Sequence, residues 1–226
     1  MKIPSIKELF KEGVHFGHVS SKRHPKASSF IYKKDSNLHI IDLEKTVEKL
    51  KESISFIQSI VKNSGQIVFI GSKKQSKDIV KAAAVGCGMP YITGRWIGGT
   101  FTNFVNIHKL VNKLEKLKKG EEDGSWEVYT KKEKVTFKKE LDKLQDMVGG
   151  IKDMKKLPQA IFIADIKKER TAIREARKMN IPIVAIADTN VNPELADYYI
   201  PANDDAIKSI RLIINIIAES INDVRK

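Results

Sequence analysis

A single cysteine, Cys87, leaves this 226-residue chain without an internal disulfide, a C-x-x-C redox pair or a zinc site built on several thiolates. A reducing, cytoplasmic setting is the simplest expectation. Arginine is scarce as well, with 7 residues against 34 Lys. Because AT-rich genomes favour Lys, Ile and Asn, the number of lysines says little by itself. No apolar stretch approaches the roughly 20 residues of a membrane span. The longest, around Leu212 to Ala218, is interrupted by Asn215. The opening MKIPSIKELFKEGVHFGH has no apolar run of signal-peptide length, and Glu8 and Glu12 argue against a transit peptide. Catalytic signatures are missing too: no G-x-S-x-G turn, no H-E-x-x-H, no Walker A loop and no G-x-G-x-x-G.

What is present is a core and a positive charge. Hydrophobic residues make up 41% of the chain, enough to fold, and the formal net charge is +13. The charge is unevenly spread. Residues 1–50 carry +4, 51–102 carry +5, 103–157 carry +4, and 158–226 carry none. An excess confined to the first 157 residues suits a polyanionic partner, and solubility charge is the competing explanation.

Short, β-branched apolar runs at Gln66–Gly71, Ala160–Asp165 and Ile183–Asp188 predict strands covered on both faces. Shorter strands are expected at Tyr91–Thr93 and Tyr198–Ile200. Helical periodicity over Glu44–Lys62, Ser76–Val85, Lys168–Met179 and Asp204–Ile221 alternates with them, the last capped by Asn203 or Asp204. This alternation predicts an α/β fold with a parallel sheet. Two segments depart from it. Phe30–Ile41 predicts a β-hairpin turning at Asp-Ser-Asn. Residues 103–158 predict an inserted antiparallel, coiled-coil-like helical hairpin. Its arms carry Ile107, Leu110, Val111, Leu114 and Leu117, then Phe137, Leu141, Leu144, Val148 and Ile151. The expected division is a sheet domain over 1–102 and 159–226, with an N-terminal helix and β-hairpin in 1–43, and the insertion over 103–158.

Candidate binding residues lie in the loops. Gly71-Ser-Lys-Lys-Gln-Ser76 follows a strand and opens a helix, where backbone N–H groups attract anions and Lys73 and Lys74 add charge. An ordinary strand-to-helix turn is the alternative. Gly94–Asn103 sets Arg95 beside Trp96 in a glycine-rich loop, a pair that can grip phosphate and stack on a base; for Trp96 the alternative is packing the base of the insertion onto the sheet. Lys22, Arg23, His24 and Lys26 crowd seven residues, and Lys33 and Lys34 follow at the expected hairpin tip, beside Phe30 and Tyr32. Four of the five histidines, His15, His18, His24 and His39, fall in the first 39 residues, where structural hydrogen bonding is favoured over metal ligation. Asp165, Asp188, Asp204 and Asp205 follow predicted strands at the edge where α/β ligands bind. Carboxylates there can hold Mg2+, although capping is their commoner use. No catalytic set, resident metal or cofactor is assigned.

Seven ordered motifs resemble those of one family. They are Gly13-Val-His-Phe-Gly-His18, His39-Ile-Ile-Asp-Leu43, Gly71-Ser-Lys-Lys-Gln75, Arg95-Trp-Ile-Gly-Gly99 with Thr102-Asn103-Phe104, and Gly149-Gly-Ile-Lys-Asp-Met154. Pro182 with Ala187-Asp-Thr-Asn190, and Ile200-Pro-Ala-Asn-Asp-Asp205, complete the series. Together they span nearly the whole chain and resemble the bacterial-type small-subunit ribosomal protein S-two family. Gly71-Ser72 stands where that family often has Gly-Thr, and Ile97 where it often has Leu.

The resemblance implies a flavodoxin-like three-layer domain with a protruding helical hairpin, the mark of the bacterial or organellar form. It implies a non-catalytic ribosomal constituent near the head–body junction that contacts small-subunit ribosomal RNA. It also implies neighbouring ribosomal proteins as partners, and a part in docking the large ribosomal protein S-one. The RNA-binding residues expected are Lys22, Arg23, His24, Lys26, Lys33, Lys34, Lys73, Lys74, Arg95, Trp96 and Asn103. Two other classes stay open on the residues alone. One is a nucleotide-binding enzyme using Gly71–Lys74, Asp165 and Asp188. The other is a scaffold using the hairpin for protein contacts.

Overall fold

The runs IVFI, AIFI and IVAIA have no polar residue to turn toward water, and they fold as strands buried on both faces. The computed structural model describes residues 3–225; Met1, Lys2 and Lys226, at the ends of the sheet-domain ranges expected above, lie outside the described residues. The elements in chain order are α1 (Ile6–Lys11), β1 (Phe16–Val19), β2 (Ile31–Asp35), β3 (Leu38–Ile41), α2 (Leu43–Lys62), β4 (Ile67–Ile70), α3 (Lys74–Gly86) and β5 (Tyr91–Ile92). They continue with α4 (Phe104–Glu122), α5 (Lys131–Val148), β6 (Ala160–Ile163), α6 (Arg170–Lys178), β7 (Ile183–Ala187), β8 (Tyr198–Pro201) and α7 (Ile207–Arg225).

Five strands form one parallel sheet in the order β5-β4-β6-β7-β8. Side chains alternate across it with the two-residue period of a strand. Ile67, Phe69, Phe162, Val184 and Ile186 meet α2, α3 and α7 on one face. Val68, Ile70, Ile161, Ile163, Ile183 and Ala185 meet α6 on the other. The result is the expected mixed α/β fold with helices flanking a parallel sheet, in an order consistent with a flavodoxin-like domain. The helix after β4 and the helix after β6 leave to opposite faces. The crevice between the carboxyl ends of these two strands is where such sheets bind ligands.

On the α6 face the apolar cluster continues without a break into α4 and α5, through Ile107, Val111, Leu114, Leu141, Leu144 and Val148. Lys113 pairs with Glu140, and Lys138 with Glu121 at 2.6 Å, across the two helices. Two glycines set how closely α5 approaches the sheet. A Cβ on Gly94 would collide with the Asp146 carbonyl of α5, and one on Gly150 with the Tyr91 carbonyl of β5.

The N-terminal part differs from the expected hairpin. β1 joins it to make a three-stranded antiparallel sheet, β1-β3-β2. The turn is the pair Ser36-Asn37, with Ser36 at φ 50°, because Asp35 already pairs with Leu38. Lys33 and Lys34 therefore sit in β2, opposite Ile40 and His39, and not at the tip. α7 begins at Ile207, three residues later than expected, with Ile210 N–H donating to the Ala206 carbonyl, so neither Asn203 nor Asp204 is its cap; Asn203 closes the turn before it, accepting the N–H groups of Asp205 and Ala206 at 2.8 Å each.

Candidate nucleic-acid interface

The loops leaving the five parallel strands share one edge of the sheet, and they bring together residues far apart in sequence. In the middle of this edge Lys73 turns inward. Its Nζ lies 2.6 Å from Asp205 Oδ1, 3.1 Å from Asp204 Oδ1 and 3.3 Å from Asp165 Oδ2, and donates to the Asp204 carbonyl at 2.9 Å. Burial alone would lower the Lys73 pKa, but Asp205, Asp204 and Asp165 outweigh it and raise it. Burial, with the neighbouring Asp165 and Asp188 charges, pushes Asp204 up to about 7 against the pull of Lys73.

His18 closes the cluster from β1. Nδ1 is 3.0 Å from Asp188 Oδ2 and Nε2 is 3.3 Å from Asp205 Oδ2. Its hydrogen bond to Asp188 raises its pKa despite burial. The His18 N–H also donates to Thr189 Oγ1 at 2.9 Å, so this cluster ties the small sheet to the large one. His18, Asp188 and Asp204 offer ligand atoms within 4.8 Å of one another, a set able to hold a small cation. His15 has a different role: it is buried between Phe10 and Phe16, with ring centroids 4.2 and 4.0 Å away, and burial lowers its pKa.

Two buried glutamates on α6 or just before it hold the neighbouring loops. Glu175 accepts the Trp96 indole N–H at 3.0 Å and the backbone N–H groups of Gly99, Phe101 and Thr102 at 2.8, 3.0 and 3.3 Å. Burial pushes its carboxyl up, but these donors prevail and hold it below the ordinary glutamate value. Glu169 accepts the N–H and hydroxyl of Ser72 at 2.9 and 2.5 Å. Burial raises its pKa against the Ser72 hydrogen bonds. Both glycine-containing loops thus meet an anion supplied by the chain itself.

The predicted residues divide accordingly. Lys73 spends its charge internally. The indole of Trp96 is half-buried and tied to Glu175. Lys22, Arg23, Lys33, Lys34, Lys74, Arg95 and Asn103 are exposed. His24 is half-buried: its N–H donates to the Thr189 carbonyl at 2.9 Å and its Nδ1 accepts from the Lys26 N–H. Lys26 pairs with Glu194. Docking at Thr189 carries Lys22 and Arg23 to the carboxyl end of β7. Along the edge, in strand order, stand Arg95 after β5, Lys74 after β4, and then the segment beside β7. Lys33 and Lys34 stand apart on β2.

Four cations at this edge were not expected from the sequence: Lys77 on α3, Lys143 on α5, and Lys167 and Lys168 after β6. The run Ile166-Lys-Lys-Glu-Arg170, directly after a predicted buried strand, is the signal for the last two. Lys77, Arg95, Lys143 and Lys168 surround a cleft of about 860 Å3.

A family model described as Ribosomal protein S2 matches residues 9–224.

Proposed function

Since the chain belongs to the ribosomal protein S2 family and is thus a structural protein of the small ribosomal subunit, we propose that it binds small-subunit ribosomal RNA along the carboxyl edge of its parallel sheet. The observation that carries this reading is the row of exposed cations Lys22, Arg23, Lys74, Arg95 and Lys168, beside loops whose own anion-binding N–H groups are already satisfied. Such side chains displace counterions from folded RNA, and RNA shape rather than base sequence supplies the specificity. Lys73 belongs to the frame that positions this edge, together with Glu175.

The finer assignments rest on the family resemblance: the site near the head–body junction, the docking of S-one, a bacterial or organellar origin and a cytoplasmic ribosome. A surface suited to a protein contact exists away from the basic edge, where Ile6, Phe10 and Tyr32 are 48, 62 and 71% exposed. Co-sedimentation with small subunits at moderate salt tests the reading. Retention that Lys74→Ala with Arg95→Ala abolishes is expected; retention unaffected by those changes would refute the RNA edge.

The nucleotide-enzyme reading is disfavoured by Glu169, whose carboxylate takes the Ser72 N–H that a phosphate would need. Calorimetry with ATP, GTP and NAD in the presence of Mg2+ is expected to give no affinity tighter than millimolar. Micromolar binding of any of them would restore that reading.

We also read residues 103–158 as an inserted antiparallel hairpin whose outer half is separable from the core. Ile107, Val111, Leu114, Leu141, Leu144 and Val148 share the sheet's apolar cluster, so the inner half should stay. Farther out, Lys138 and Glu121 face each other, which brings Gly120 close to Lys139. Replacing 121–138 by a short Gly/Ser linker is expected to leave one cooperative melting transition while impairing assembly into the small subunit. Loss of cooperative unfolding would place the outer half in the core.

A further inference from the structure

A cleft opens at the β4–β6 switch point, where α5 crosses the sheet's carboxyl edge. Its walls carry Lys77, Arg95, Lys143 and Lys168, and none of these four forms an ion pair among the described residues. The ion pairs formed by neighbouring lysines lie elsewhere. Two acidic residues also line it: Glu169, whose carboxylate is engaged by the N–H and hydroxyl of Ser72, and Asp146 on α5. Trp96 forms part of the lining, and its ring is fixed from two sides. Its N–H is held by Glu175, and Phe101 meets it edge-on at 5.0 Å. A fixed, partly exposed indole among unpaired cations is a stacking platform beside a phosphate grip.

We propose that this cleft seats one unpaired nucleotide of the bound RNA, with its base on Trp96 and its phosphates on Arg95, Lys143 and Lys168. The inference rests on the RNA-binding reading above and deepens it. A volume of about 860 Å3 lies within the range of small-ligand clefts. It accommodates a nucleotide with its flanking phosphates and excludes a duplex. Unstacked bases in loops and bulges are what proteins read in RNA, by stacking on aromatic side chains. The close contact of Gly94 with the Asp146 carbonyl fixes the wall that α5 provides, so the seat is formed before binding.

The test compares a plain RNA duplex with the same duplex carrying one bulged nucleotide, using the full chain. The bulged RNA is expected to bind at least tenfold tighter. That preference should vanish in Trp96→Ala and shrink in Lys143→Ala with Lys168→Ala, a pair of exposed residues whose loss leaves the fold intact by melting curve. In Trp126→Phe protein, where Trp96 is the sole tryptophan, the bulged RNA should quench emission and the duplex should not. Equal affinity for both RNAs, without quenching, would overturn the seat and leave the basic edge standing. Failure to bind either RNA would overturn the edge and the seat together. Micromolar binding of free AMP would assign the cleft to a diffusible mononucleotide and overturn its role in RNA recognition.

Discussion

Replacing Glu175 by Ala should destabilise the protein by about 3–5 kcal/mol, because several N–H groups lose their common acceptor and each buried, unsatisfied donor costs about 1–3 kcal/mol. The carboxylate gathers the Trp96 indole and the N–H groups of Gly99, Phe101 and Thr102. Glu175→Gln keeps the shape and one acceptor, and should lose roughly half as much. The effect on RNA binding separates this account from simple electrostatics. Removing an anion makes the protein more positive, which by charge alone strengthens RNA binding. Weakening is expected instead, since Arg95 and Trp96 sit on the loop that Glu175 holds. The pH dependence follows from the depressed pKa. The folded state binds the Glu175 proton less tightly than the unfolded chain, so the stabilisation is full above about 4.5 and disappears as pH falls through the folded value. Urea titrations of both variants from pH 8 to pH 3 should show the difference from wild type narrowing only in acid.

Lys73→Met should cost a similar amount, about 3–5 kcal/mol at pH 8, because it leaves Asp165 and Asp204 buried without their cation. Here the pH dependence has the opposite form. Asp204 titrates at about 7, far above its ordinary 3.8, so the folded state binds this proton more tightly than the unfolded chain. Lowering the pH from 8 to 5 therefore stabilises the fold at this cluster. The raised pKa of His18 acts in the same direction, its stabilisation being present below 6.5 and lost as pH rises through the folded value. The penalty of Lys73→Met should accordingly shrink between pH 8 and pH 5, a range in which the Glu175 variants show a constant loss. A penalty independent of pH would mean that Lys73 contributes packing and not charge.

These two residues mark where reading the sequence stops. The parallel strands were legible because four or five consecutive buried apolar residues leave a strand few alternatives. Periodicity places α2, α3 and α6 to within two residues, whereas α7 begins at Ile207 and not at the expected Asp204, and runs on to Arg225. β1 was not legible: FGHV has a glycine, a histidine and one β-branched residue, and it becomes a strand only because β3 offers it a partner. Lys73 and Lys74 look alike in sequence. The strand-to-helix turn sends one inward and the other outward, and the aspartates that meet Lys73 lie at positions 165, 204 and 205. Glu175 carries no local signal of its role, since its partners lie more than 70 residues away. Lys168 was hidden in the uncharged final third of the chain, whose zero balance conceals a locally basic loop. Local pattern reports on burial, whereas the sites depend on which loops share an edge.

The central claim is that the exposed cations at the sheet's carboxyl edge hold RNA phosphates, and the salt dependence of binding to small-subunit ribosomal RNA tests it most directly. With about four to six phosphates neutralised, log K should fall with log salt at a slope of about −3 to −5. Replacing Lys22, Arg23, Lys74 and Arg95 together by Ala should flatten that slope by about 3, with the melting curve unchanged. A flat salt response of the wild type, or an unaltered slope in the fourfold variant, would contradict the account.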